Sequence, residues 1–299
     1  MTSEETMYVK KLGVYSGVTV YALYPNQSML EDLRRLGWRS WLEGLAKWFA
    51  KAIQSSSFLY KIVTSSMPFP LPRVRSGEEE RKGILSLWAR ILDDLVICRT
   101  RAYYSIRERV EGILRGTLHI KVRTSDESLS AEKNLFLDSL KKELLNITIL
   151  SENELPLEVK VGRILLRGKS DLYLIANISK VVRGLVIELH ETDFNAIKKT
   201  WHVLPRLYIY ALASYRRYGI TPISFSIPLS IAEEFAIVCL ANTTGKFINQ
   251  AKEAQIRLPH LSTLCNELSY ISTLDRAPQP RSKSRAFCKE CKYRTICEF

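Results

Sequence analysis

Apolar positions along the chain change period several times, and each change marks an element. Trp38, Trp41, Leu45 and Trp48 recur at helical spacing, which predicts an amphipathic helix whose tryptophans pack inward instead of stacking on bases. Met67-Pro-Phe-Pro-Leu-Pro72 then forms a joint that cannot continue a helix. From Gly83 to Arg115 the apolar set Leu85, Leu87, Trp88, Ile91, Leu92, Leu95 and Val96 predicts a long helix, with Cys98 inside it or just after it. A second amphipathic helix is predicted over 131–145.

A period of two follows. Leu157-Glu-Val-Lys-Val-Gly-Arg-Ile-Leu-Leu166 alternates as one half-buried strand does. Gly168-Lys-Ser-Asp171 turns into a second strand from Leu172 to Ile175, and Arg183-Gly184 turns into a third from Leu185 to His190. Residues 200–218 read as a helix, 221–228 as a strand, and 231–256 as a helix broken near Thr243. The order helix, three-stranded meander, helix, strand predicts an α+β fold around a mostly antiparallel sheet. The expected division is an N-terminal extension over 1–80 and a second unit over 81–299.

Composition sharpens the picture in two ways. Lys+Arg 44 against Asp+Glu 31 gives a formal charge of +13, which favours a polyanionic partner such as nucleic acid. No uninterrupted apolar run reaches the ~18 residues of a membrane span, and the first residues lack the regions of a signal peptide. An intracellular, cytoplasmic protein without a membrane is therefore expected. Its cysteines are then expected to bind metal, since disulfides are rare in a reducing compartment.

Those cysteines are unevenly placed. Cys288, Cys291 and Cys297 crowd the last twelve residues, and three thiolates are one short of a tetrahedral zinc site or a four-cysteine iron–sulfur cluster. The fourth ligand must be Cys98, Cys239 or Cys265, of which the last two sit in apolar runs suited to core cysteines. A second constellation is acidic. Asp171 opens a strand, Glu188 interrupts an apolar one, and His190 lies two residues on, so Glu188 and His190 share a face. With His119, these carboxylates suit Mg²⁺ or Mn²⁺, which would activate water and steady a phosphodiester under attack.

Taken together, these residues resemble the RecB-like CRISPR-associated nucleases that carry a four-cysteine iron–sulfur cluster, particularly the long branch associated with type I-A systems. The resemblance covers about residues 90–299. It rests on Cys98-Arg-Thr-Arg101-Ala-Tyr103-Tyr104, on Glu111, Gly116 and His119, and on Gly168-Lys-Ser-Asp171. It continues through Glu188-Leu-His190, Arg206-Leu-Tyr-Ile-Tyr210, and Cys288, Cys291, Tyr293, Arg294 and Cys297. It implies a PD-(D/E)XK (restriction-endonuclease-like, RecB-like) nuclease core with a helical N-terminal extension, closed by a lobe that joins Cys98 to residues 286–299. It selects Cys98 as the fourth ligand and a 4Fe-4S cluster over 2Fe-2S or zinc.

The resemblance also implies an activity. The expected protein is a metal-dependent DNA exonuclease of CRISPR adaptation that trims single-stranded or frayed ends of spacer precursors beside the integrase proteins, alone or as a homo-oligomer. His119, Asp171 and Glu188 would hold the metal, and Tyr210 would line the site. Two residues depart from the family. His190 stands where it has lysine, and Arg206 where it has glutamine; Lys198 or Lys199 could restore the missing ammonium. The alternatives are a weakly active or inactive nuclease-fold DNA-binding subunit of the adaptation complex, and an unrelated zinc-stabilised nucleic-acid binder. Arg99 and Arg101, flanking Cys98, are expected beside the DNA path unless Asp93 and Asp94 neutralise them.

Overall fold

A computed structural model of the chain describes residues 7–55, 62, 69–70, 84–110, 125–144, 148–150, 157–178, 181–190, 200–229, 235–243, 258–279, 288, 291, 293–294 and 296–297. Its centre is a seven-stranded mixed sheet in the order β1-β2-β10-β9-β8-β7-β4. The strands are β1 (Met7–Tyr15), β2 (Val18–Pro25), β4 (Thr148–Leu150), β7 (Leu172–Ile178), β8 (Val181–His190), β9 (Pro222–Pro228) and β10 (Ile237–Ala241). Only the β8/β9 pair is parallel; the other neighbours run antiparallel. A smaller sheet, β3-β6-β5, is made by β3 (Leu85–Trp88), β5 (Leu157–Val161) and β6 (Ile164–Gly168).

Helices cover both faces of the large sheet, which explains why β9 and β10 are buried along their whole length. Helices α1 (Gln27–Arg35), α2 (Trp38–Ser55) and α5 (Ser125–Glu143) enclose one core with Leu172, Leu185, Ile187 and Phe225. On the other face, α3 (Ile91–Ile97), α4 (Arg99–Val110), α6 (Leu204–Tyr218) and α7 (Leu261–Ile271) pack with the small sheet and with Tyr173, Val186 and Val238. The α+β class is thus as expected, with the helices arranged as two outer layers.

Within α2, Trp41 and Trp48 lie on a packing face, while the Trp38 side chain lies outside the described residues. Trp41 is 1% exposed, its indole N–H donates to the Leu229 carbonyl at 3.2 Å, and its ring meets Phe235 edge-on at 5.5 Å. Leu45 and Trp48 are buried beside it.

Several predicted elements divide differently. The expected 83–115 helix begins as strand β3 and continues as two helices meeting at Cys98. The single strand expected over 157–166 is a hairpin, because Gly162 adopts φ 58° and reverses the chain. Its strands β5 and β6 join the small sheet, so the expected three-stranded meander is split between two sheets. The segment expected to be helical from 231 contains β10, whose unbroken apolar run Ile-Val-Cys-Leu-Ala is buried throughout. The chain's first hairpin, β1–β2, extends the large sheet through pairing of β2 with β10.

Truncating Trp41 tests the outer core. Trp41→Ala removes a buried ring and orphans the Leu229 carbonyl, so it should cost about 3–5 kcal/mol in denaturant unfolding.

Candidate functional site

The acidic constellation assembles where β7 begins and β8 ends. In the β7–β8 ladder Leu172 pairs with Ile187, which sets Asp171 beside Glu188. The two carboxylates are cross-braced by backbone: the Asp171 amide donates to Glu188 Oε1 at 3.2 Å, and the Leu189 amide donates to Asp171 Oδ2 at 2.7 Å. The other Asp171 oxygen accepts from Lys133 Nζ of α5 at 2.8 Å. Glu188 is 3% exposed, and its second oxygen lies 3.5 Å from Arg206 Nη1. Arg206, in the first turn of α6, also approaches Asp93 Oδ2 of α3 with its Nε at 3.2 Å. The Asp93 and Arg206 side chains are 10% and 13% exposed.

His190 and Glu188 share a face, as the period of two predicts. Parallel pairing sets Glu188 opposite Ser226 of β9, and the Ser226 hydroxyl lies 2.9 Å from His190 Nδ1. Among the described residues, the buried His190 Nε2 and Asp93 Oδ1 have no hydrogen-bond partner. One turn beyond Arg206, Tyr210 is buried against Gly168. A Cβ at Gly168 would sit 2.5 Å from the Tyr210 ring, so the glycine before β7 is what lets the phenol approach. Asp171, Glu188, His190 and Tyr210 are therefore brought into one region by β7, β8 and α6. His119, Glu111, Gly116, Lys198 and Lys199 lie outside the described residues.

Burial dominates the electrostatics. It pushes the Glu188 carboxyl up to about 8, helped by the Asp171 charge and opposed by Arg206 and Lys133. It pushes Asp93 up to about 6, with Arg206 opposing. Burial, then the Arg206 charge, pushes His190 down to about 3, so the imidazole stays neutral and cannot stand in for a lysine ammonium. Burial also works against the charge of Arg206, but Asp93 and Glu188 outweigh it and hold the guanidinium protonated. Tyr210 is raised well above 10 by burial and by Glu188, so its phenol can only be neutral.

Sequence reasoning missed two members of this group. Lys133 brings the ammonium sought at 198 or 199, from a helix 38 residues before Asp171. Asp93 was readable as a carboxylate within the apolar turn Ile91-Leu-Asp-Asp-Leu95, where burial without a cation is costly. The two arginines beside Cys98 are correspondingly engaged inside the protein. Arg99 pairs with Glu267 of α7, and Arg101 Nε meets Asp94 Oδ1 at 2.5 Å.

Asp94 also links the site to the cysteine lobe. Its Oδ2 accepts from Ser105 at 2.8 Å, and Ser105 lies 3.1 Å from the buried Tyr293 hydroxyl, which donates to Glu108 at 2.5 Å. Tyr104 donates to the Ile296 carbonyl at 3.0 Å and packs its ring 5.5 Å from Tyr293. Cys98 caps α3; the Cys291 amide donates to the Cys288 carbonyl at 3.3 Å, and the Cys297 amide to the Tyr293 carbonyl at 3.0 Å. The thiol of Cys297 is raised by burial first and then by the charges of Cys98, Cys291 and Cys288. Cys239 and Cys265 are instead core residues, 0% and 1% exposed, with burial pushing the Cys265 thiol up to about 12. Among the described residues, no group of three or more His, Cys, Asp or Glu side chains is gathered to the spacing of ligands around a single metal ion.

Four free cysteines match a four-thiolate cluster in number and donor type, without being gathered to ligand spacing. The Asp171/Glu188 pair does not fit a hard divalent cation as it stands. All four of its oxygens are engaged, two of them by Lys133 and Arg206.

No model of any protein family matches the chain, and no curated protein matches it. No helix among the described residues is long and apolar enough to cross a membrane.

Removing the guanidinium should be costly in a pH-dependent way. Glu188 and Asp93 titrate higher in the fold than their ordinary values, so the stability gained from their protonation is present in acid and is lost as pH rises through about 6 and 8. Arg206 offsets that loss. Arg206→Met should therefore cost about 3–5 kcal/mol in urea unfolding under mildly alkaline conditions, and distinctly less near pH ~5, where both carboxyls can protonate.

Proposed function

We propose that this chain is a nuclease-fold, DNA-binding subunit of CRISPR adaptation whose acidic site is neutralised from within, giving weak or no cleavage. The observation that carries this reading is the Arg206 guanidinium placed between Asp93 and Glu188. The restriction-endonuclease-like core is supported by the antiparallel β7–β8 hairpin, the α6 crossover and the parallel strand β9, with Asp171 and Glu188 on the hairpin. DNA is the partner that a +13 chain favours. Arg99 and Arg101 do not serve that contact directly, since each is committed to an acid.

In this reading Cys98, Cys288, Cys291 and Cys297 hold an iron–sulfur cluster. The cluster would supply a cross-link between the α3–α4 junction and residues 288–297. The chain's own residues already dock that lobe: Tyr293 is fixed by Glu108 and Ser105, and Tyr104 holds the Ile296 carbonyl. A second reading, metal-dependent exonuclease activity, is favoured by Lys133, which sets an ammonium 2.8 Å from Asp171 as an active site of this class would need.

DNA binding and cleavage separate the two. The protein should bind end-frayed DNA with an affinity that falls steeply as salt rises, and show no Mn²⁺-dependent cleavage beyond that of Asp171→Ala. Salt-insensitive or absent binding would remove the DNA-binding reading, whereas robust cleavage abolished in Asp171→Ala would replace it with the exonuclease.

The cluster has its own test. Protein purified without oxygen should contain iron and sulfide, lost in Cys98→Ser and Cys297→Ser but retained in Cys239→Ser and Cys265→Ser. Stoichiometric zinc with no iron would overturn the assignment.

A further inference from the structure

The small sheet has one face inside the protein and one outside. Leu87, Val159, Ile164 and Leu166 turn inward and are buried in the core that α6 shares. The ladders set the outward residues in two rows: Trp88 beside Arg167 beside Glu158, and Ser86 beside Leu165 beside Lys160. Trp88 is 49% exposed, and Arg167 and Glu158 form a half-exposed ion pair at 2.8 Å. Lys160 is exposed, as are Lys169 and Arg90 just beyond the strand ends.

A lone exposed ring is ordinary on a protein surface, and a solvated ion pair is worth little. Here ring and guanidinium stand in register on neighbouring strands, about 4.8 Å apart. Against Glu158 stand Arg90, Lys160, Arg167 and Lys169, so positive charge prevails among the described residues of this face and its rim. The row also adjoins the acidic site. The Ala89 amide donates to the Arg167 carbonyl at 2.6 Å, so β3 and β6 end together. From there β3 runs through Ala89-Arg90-Ile91-Leu92 into Asp93, and β6 through Gly168-Lys169-Ser170 into Asp171.

We propose that this row is a stacking platform for single-stranded DNA: the Trp88 indole takes a base on its face, while Arg167, Lys160 and Lys169 take backbone phosphates. This deepens the DNA-binding reading above and rests on it. A base inside a duplex has both faces covered by its neighbours, so only an unpaired or frayed strand offers one to the indole. A cation next to the ring then meets the backbone that carries the base. Such a platform is indifferent to sequence, since every base has a π-face, and it sets the bound strand at the edge of the carboxylate site.

The test is the fluorescence anisotropy of an end-labelled oligothymidylate, alongside a strand of equal length whose nucleotides lack bases. The unaltered protein should bind the base-bearing strand at least ~5-fold more tightly than the abasic one. Trp88→Ala should lose that preference while binding the abasic strand as before, and Trp88→Phe should keep most of it. Arg167→Gln should weaken both strands alike and lower the slope of log affinity against log salt by about 0.7. Equal affinity of the unaltered protein for the two strands would overturn the proposal, even if Trp88→Ala failed to fold. So would a folded Trp88→Ala protein that retains the preference. Either result with salt-dependent DNA binding intact strikes the platform alone, whereas absent or salt-insensitive binding of both strands and of end-frayed DNA strikes the functional reading and the platform together.

Discussion

One buried guanidinium organises this molecule. Arg206 projects from the first turn of α6 to Asp93 on α3 and Glu188 on β8, joining three elements that hydrophobic packing alone brings only side by side. Apolar contact is non-directional, so α3 could slide against α6 by a fraction of a turn at little cost. A charge shared between two buried carboxylates allows no such latitude, because each displacement strands an ion in a low-dielectric interior. The same contact fixes the chemical state of the site. It opposes the upward shift of both carboxyls and helps keep His190 neutral.

That constraint extends to the cysteine lobe through adjacent residues of α3. Asp93 faces Arg206, while Asp94 receives Arg101 and Ser105, and Ser105 touches the Tyr293 hydroxyl. Two neighbouring acids on one short helix thus serve different polar centres. Cys98 terminates that helix, its amide bonded to the Asp94 carbonyl at 2.8 Å. A group held at Cys98 would therefore act on the end of α3, and the other acid of α3, Asp93, faces the carboxylate site.

How much of this could be read beforehand depended on whether the cause was local. The period of two that sets Glu188 and His190 on one face is a property of a single strand, and it was legible. So were the burial of Cys239 and Cys265 in apolar runs and the inward stripe of α2. Boundaries failed where one residue reverses the chain. Gly162 ends a strand that the alternating pattern carries straight through. The run Ile237–Ala241 failed for another reason, since a fully buried strand lacks alternation and mimics a helix segment. Lys133 was invisible as a site member, and Asp93 was readable only as a carboxylate in an apolar turn, because their meeting arises only when α5 and α3 pack against the sheet from opposite sides.

The two departures from the resembled pattern then have a common physical explanation. A neutral imidazole at 190 removes a cation from the strand, and a guanidinium at 206 returns one from the adjoining helix. Lys133 adds a second from across the sheet. The local charge is thereby kept near balance while its location changes, from beside the carboxylates on the same strand to positions in contact with them. For a buried acidic pair, balance is what stability requires, and several arrangements satisfy it. Chemistry on a phosphodiester is stricter, because it needs carboxylate oxygens open toward the substrate and not turned to internal partners.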